Sequence, residues 1–254
     1  MSAGIARDAL VTYLDEYLAI ADWPDKSLNG LQVEGVGEVR TVALATDAAL
    51  ATFCMAADAG ADFLIVHHGL FWGSAVPVTG PHRERLAALF DAGISLYAAH
   101  LPLDGHAEVG NNAVLARLLG LTDRRPFGRY GERWIGVEGR PPGPCDRAGL
   151  AARIEALLGV RPDVLAFGGE IVQRVAIVSG AAADLVPEAA AVGVDAFVTG
   201  ETSHIAWHAA RERDLNVFFA GHYATETLGV RALGDVLSER FGVETVFLDA
   251  PTGY

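Results

Sequence analysis

The chain is short of positive charge. Nineteen Lys and Arg stand against 32 Asp and Glu in 254 residues, a formal net charge of −13. Phosphate contacts need a basic surface, so a general nucleic-acid binder is disfavoured. Mean hydropathy is positive at +0.28, yet the chain lacks an uninterrupted apolar run of the roughly 18 residues that a membrane-spanning helix needs. Its apolar stretches are broken by Asp62, His67, His68, Asp195 and Glu201. There are only two cysteines, Cys54 and Cys145, far apart and in no motif; they read as two buried thiols in a reducing compartment. Arg7, Asp8, Asp15 and Glu16 sit inside a helical pattern, so no signal peptide is read and a cytoplasmic protein is expected. Neither a Walker-type phosphate loop nor a G-x-G-x-x-G fingerprint occurs, and there is no G-x-S-x-G nucleophile elbow. At 51% hydrophobic, the chain has ample material for a core and is not intrinsically disordered.

Apolar spacing predicts a helix over residues 5–20, ended by Trp23-Pro24, and then a polar loop over 27–35. A strand over 41–46, a helix over 48–59 and a strand over 62–66 follow, the last running into His67-His68-Gly69. A helix over 81–92 leads to a strand over 95–99, which runs into His100-Leu101-Pro102-Leu103-Asp104, and a helix over 111–119 follows. This rhythm means an α/β protein with a mostly parallel core. The middle, from Thr122 to Gln173, is less regular: a short strand near 134–137, the proline cluster 140–144 as a linker candidate, and a helix over 146–158. Then the first pattern returns. Val42–His68 and Val175–Glu201 align without a gap at an offset of 133, matching at eight of 27 positions, among them Gly60/Gly193 and Asp62/Asp195. At an offset of 122, Ala98-Ala99-His100 falls on Ala220-Gly221-His222 and Asp104 on Glu226. Against chance likeness of two α/β units, this reads as two β-α-β-α-β-α lobes related by a pseudo-twofold axis. They take residues 1–122 and 123–254, with an approximate boundary and elements open to exchange.

Ligands in open α/β sheets gather beyond the carboxyl ends of strands, and five of the eight histidines stand there: His67, His68, His100, His204 and His222. A metal cleft between the lobes is therefore expected at those strand ends. His222 and Glu226, at i and i+4, share a face if the segment is helical. Adjacent His67 and His68 would face opposite ways on a straight strand, but at its end both can aim at one cleft. Asp104 is placed on a Pro-containing loop. Imidazoles with carboxylates suit zinc, iron, manganese or nickel better than calcium or magnesium. Three histidines and two carboxylates are too few for two closed sites without a bridging carboxylate and water, and paired ions of this kind form a hydrolytic clamp. Each residue also has a plainer reading: loop hydrogen bonds for His67-His68, a helix-face pair for His222 and Glu226, a loop cap for Asp104. His100 is read as a donor behind the ligands. Glu201 lies where a helix N-terminus favours an acid.

The segments Leu28-Asn29-Gly30-Leu31-Gln32-Val33, Ile65-Val66-His67-His68-Gly69, His100-Leu101-Pro102-Leu103-Asp104, Gly110-Asn111-Asn112 and Ala220-Gly221-His222-Tyr223-Ala224-Thr225-Glu226 resemble, in this order and over nearly the whole chain, the Nif-three-like family, the GTP cyclohydrolase I type 2 homologues. The length is similar to the short bacterial form. The resemblance implies a toroidal homohexamer, a trimer of dimers, with two divalent transition-metal ions per subunit on His67, His68, Asp104, His222 and Glu226. The segment Gly200-Glu201-Thr202-Ser203-His204 also looks family-like, which raises Glu201 and His204 as cleft residues. The expected function is metal-dependent hydrolysis, with metal-activated water attacking a small nucleotide-like or phosphate-bearing substrate and His100, Glu201 and His204 carrying protons. The alternative is a non-catalytic ring-shaped metal-binding scaffold or metal-handling protein. A local basic patch of Arg124, Arg125, Arg129 and Arg133 is the one feature that favours nucleic acid.

Overall fold

The computed structural model describes residues 4–254. They form two compact units: residues up to Leu103 with Gly229–Ala250, and Asp104–Leu228 with Pro251–Tyr254. The division by contacts lies upstream of the one drawn from the sequence after residue 122. The helix Asn111–Leu118 packs Leu115 and Ala116 into the core of the second unit, with Leu150, Ile154 and Val175, and the strand Glu244–Phe247 pairs with Thr41–Asp47 in the first. Among the described residues no helix is long and apolar enough to cross a membrane.

The sheet of the first unit runs in the order Glu244–Phe247, Thr41–Asp47, Phe63–His68, Ser95–Ala98, Gly30–Val33. Its first four strands are parallel and Gly30–Val33 is an antiparallel edge. Phe63, Leu64, Ile65 and Val66 are all fully buried, as a parallel strand covered on both faces must be. The second unit has six strands in the order Asp163–Ala166, Asn216–Phe219, Ala196–Thr199, Val175–Ile177, Arg133–Arg140, Thr122–Tyr130. Its central three are parallel, and antiparallel strands flank them. The repeated Gly-x-Asp has the same task in each unit. Asp62 Oδ2 accepts the backbone N–H groups of Arg40 and Thr41, at 2.8 and 3.0 Å, where the preceding strand begins. Asp195 Oδ2 accepts those of Gln173 and Arg174, at 2.8 and 2.9 Å.

Four expectations are corrected. The irregular middle contains a long hairpin, Thr122–Tyr130 with Arg133–Arg140. Pro126 hides the first strand from a pattern reading, but the strand lies at the sheet edge, where a missing N–H is tolerated. The proline cluster 140–144 is no linker between units: it lies inside the second unit and joins the hairpin to Cys145–Asp146, which pairs with Ile171–Val172. Pro and Gly mark a reversal as readily as a boundary. Asp104 ends the helical turn Leu101–Asp104 rather than lying on a loop, since proline is accommodated in a first turn. Cys54 is exposed and only Cys145 is buried.

Candidate metal centre

The first unit brings three imidazoles together. His67 and His68 complete the strand Phe63–His68, and His100 follows Ser95–Ala98. Both strands are parallel neighbours, so their carboxyl ends open on the same side of the sheet. The ring centroids of His67 and His68 are 4.7 Å apart, and His100 lies 5.1 and 5.6 Å from them. Each ring offers a nitrogen within 4.8 Å of the others, a group able to hold a metal ion.

Every Nδ1 in this group meets an oxygen. His67 Nδ1 is 2.9 Å from the Ala99 carbonyl. His68 Nδ1 is 2.8 Å from Asp47 Oδ1, and Asp47 stands opposite it in the sheet register. His100 Nδ1 is 3.0 and 3.1 Å from the two oxygens of Asp25. Carbonyls and ionised carboxylates only accept, which assigns a proton to each Nδ1. Asp25 is itself tightly held, accepting from the backbone N–H groups of Ser27 and Leu101 and from the Asn29 side chain. Burial alone would raise its carboxyl pKa. The hydrogen bonds from His100 and Asn29 and the charge of His100 outweigh that and hold it well below the usual carboxylate range.

The second unit supplies carboxylates and one imidazole. His222 opens the helix His222–Phe241, and its Nε2 lies 2.8 Å from Glu226 Oε2, one turn on. Its Nδ1 lies 2.6 Å from Glu201 Oε1, so both ring nitrogens of His222 face carboxylates. Asp104, nearly buried, accepts at Oδ1 from Asn111 Nδ2 at 2.9 Å and from Ser179 Oγ at 3.1 Å. Asn112 ties the same corner together by accepting from Ser179 N and donating to the Ile135 carbonyl. Asp104 and Glu226 each offer an oxygen within 4.8 Å of the other. Two nearly buried carboxylates at that separation suit a bound cation. Gly180 makes the approach possible. Its φ is +65°, and a Cβ there would run into Glu226 Oε1 and lie 3.4 Å from His222 Nε2.

Of the residues read from the sequence, His67, His68 and His100 thus form one group, and Asp104, His222, Glu226 and Glu201 gather in the other unit. His204 stands apart: it is exposed at the start of the helix His204–Arg211, with its ring beside His208 at 5.8 Å. Sequence reasoning misses Asp25, Asp47, Ser179 and Gly180. Asp47 is findable, because the parallel neighbour Thr41–Asp47 ends beside His68. The second unit also carries a cavity of about 360 Å³ at the carboxyl ends of Ala196–Thr199 and Asn216–Phe219, with Glu201, Thr202, Phe219, Arg161 and Tyr254 in its lining. Strand ends of this kind are where α/β sheets bind ligands.

A protein of Deinococcus radiodurans called GTP cyclohydrolase 1 type 2 homolog is 48% identical over 249 residues, covering 98% of this chain and 95% of that protein. A Pyrococcus horikoshii protein of the same name is 49% identical over 251 residues, covering 97% and 99%. A solved structure from Thermus thermophilus superposes with a TM-score of 0.93 at 50% identity, over 98% of this chain and all (100%) of that one. The family model for Duf34/NIF3 (NGG1p interacting factor 3) matches residues 5–253, and the chain belongs to that family.

Proposed function

We propose that this chain is a dinuclear-metal-dependent hydrolase of small nucleotide-like or phosphate-bearing molecules. Its ligands for two divalent transition-metal ions would be His67, His68, Asp104, His222 and Glu226. The observation that carries the reading is the shared anchoring of the imidazoles. The Nδ1 atoms of His67 and His68 both meet oxygen acceptors, the arrangement that favours a metal-binding tautomer. The donor set, imidazole nitrogen with carboxylate oxygen, fits zinc, iron, manganese or nickel. When bound, two such ions lower the pKa of a water and stabilise charge developing on a phosphoryl or carbonyl oxygen. The protein contributes orientation and proton transfer. Asp25 keeps the proton of His100 on Nδ1, so Nε2 can accept a proton and return it. Glu201 holds the His222 ring, and with the exposed His204 it is a further candidate for carrying protons to solvent.

The test is metal content by elemental analysis, together with a hydrolysis screen over nucleotides, phosphoesters and cyclic amides. The wild type is expected to bind two ions per chain, and His68→Ala to lose bound metal and turnover together. Full metal content in His68→Ala overturns the ligand set. Metal exchange by the wild type with no turnover favours the scaffold reading instead. The toroidal homohexamer and a cytoplasmic location belong to the same proposal, and light scattering tests the assembly.

A further inference from the structure

We infer that Trp72 is a stacking platform for a planar heteroaromatic ring, which narrows the substrate class proposed above to molecules carrying a nucleobase-like ring. The inference rests on that reading for its chemistry, though not for its binding measurement. An exposed aromatic residue is ordinary by itself, but Trp72 differs from the other exposed tryptophans. Trp134 has the guanidinium of Arg129 over its ring at 5.8 Å. Trp207 has Arg211 over its ring at 5.1 Å and Phe167 against it at 5.2 Å. Trp72 is 40% exposed, and among the described residues no cation covers it.

Its neighbours are the imidazoles of the candidate metal centre. The indole centroid lies 4.9 Å from that of His100, edge to face, and 6.1 Å from that of His68. The ring is also pinned. Its Nε1–H donates to the Gly69 carbonyl at 2.8 Å, its backbone bridges to Ser27, and Leu28 N–H donates to the Phe71 carbonyl at 3.0 Å. A rigid indole therefore presents apolar surface directly beside the donor group. Little ordering entropy remains to be lost when a flat ligand settles on it. Every nucleobase has a π-face, and stacking on an aromatic side chain strengthens binding about tenfold or more per base, whereas a sugar phosphate without an aromatic ring gains nothing comparable.

The experiment is calorimetric binding of guanosine, adenosine and ribose 5-phosphate to the metal-loaded full chain, in wild type, Trp72→Ala, Trp72→Leu and Trp72→Phe, with metal content measured for each. Both nucleosides are expected to bind the wild type, to bind Trp72→Ala and Trp72→Leu about tenfold or more weakly, and to bind Trp72→Phe nearly as well as wild type. Ribose 5-phosphate affinity should not change. Nucleosides that do not bind the wild type, or that bind Trp72→Leu as well as Trp72→Phe, overturn the platform. The two readings fail separately. Nucleoside binding lost in Trp72→Leu with no hydrolysis of any compound leaves the platform standing and removes the hydrolase. Hydrolysis of ring-free phosphoesters without nucleoside binding does the reverse.

Discussion

Each unit has a run of neighbouring parallel strands, and the chemistry at their ends differs. In the first, the strand Phe63–His68 ends in two imidazoles; at the offset of 133, the strand Ala196–Thr199 runs instead into Gly200 and Glu201. Both units still pair an imidazole Nδ1 with a carboxylate across neighbouring strand ends. In the first unit the carboxylate is Asp47, one strand before the histidine it holds. In the second, the carboxylate that holds His222 is Glu201, which likewise follows the preceding strand. The position matching Asp47 is Gly180, where even a Cβ would collide with Glu226. A unit that brings the Glu226 carboxylate onto this spot therefore has no room for the Asp found in its counterpart. The strand ends fix where donors stand, and the free space beside them decides which donor each position can hold.

Removing a proposed ligand from either unit is the harshest way to break the comparison. His68→Ala and His222→Ala are each expected to leave little bound metal by elemental analysis, because each deletes a nitrogen donor outright. If only one variant loses metal, the other unit is a structural echo rather than a supplier of ligands. Gly180→Ala comes next. It forces a side chain into left-handed backbone at φ +65° and into Glu226, so about 2 kcal/mol or more of stability should be lost. The mirrored change, Asp47→Gly, should unfold at nearly the wild-type denaturant concentration, since Asp47 is partly exposed at a strand end. A Gly180→Ala variant as stable as Asp47→Gly would show that Glu226 can stand elsewhere.

Smaller effects are expected from the carboxylates that hold the imidazoles. Asp47→Ala and Glu201→Ala should each weaken metal affinity by about 10–100-fold, as loss of a ligand's hydrogen-bond partner does, measured by competition with a chelator. The ligand nitrogens survive in both variants, so saturating metal should restore full occupancy. A variant that cannot be rescued by excess metal would mark its carboxylate as a ligand rather than a holder.

What the sequence disclosed follows the same physical lines. Phe63–Val66 is a continuous apolar run, and its end at His67-His68 names the site directly. The i, i+4 spacing of His222 and Glu226 needs only a helix to bring the two together, and the helix is there. Asp25 was hidden because its bond to His100 spans 75 residues of chain. A polar loop residue gives no periodicity from which such a contact can be read. Ser179 was hidden for the same reason, joining Asp104 across a similar separation. The hairpin from Thr122 was obscured by Pro126 and by the register shift between Thr122 and Arg125, each of which disturbs the alternation that marks a strand. In the repeat, Gly60 and Gly193 reverse the chain at φ +66° and +76°, so that match reflects backbone need.

The gentlest test concerns a feature that the units hold in common without change. Asp62 and Asp195 each accept two backbone N–H groups at the start of the preceding strand, within 2.8–3.0 Å. Replacing either by Ala leaves two donors that water reaches only in part, which should lower stability by about 1–2 kcal/mol. For a chain of this size that is roughly 2–8 °C in Tm. If the repeat is a real structural equivalence, Asp62→Ala and Asp195→Ala should shift Tm by similar amounts. Neither should change metal affinity, because neither side chain touches the donors. Unequal shifts would mean that the two units differ in stability, and the variant with the larger shift identifies the unit whose unfolding limits the whole chain. A loss of metal in Asp62→Ala alone would show instead that the parallel strand pair Thr41–Asp47 and Phe63–His68 must keep its register for Asp47 to reach His68.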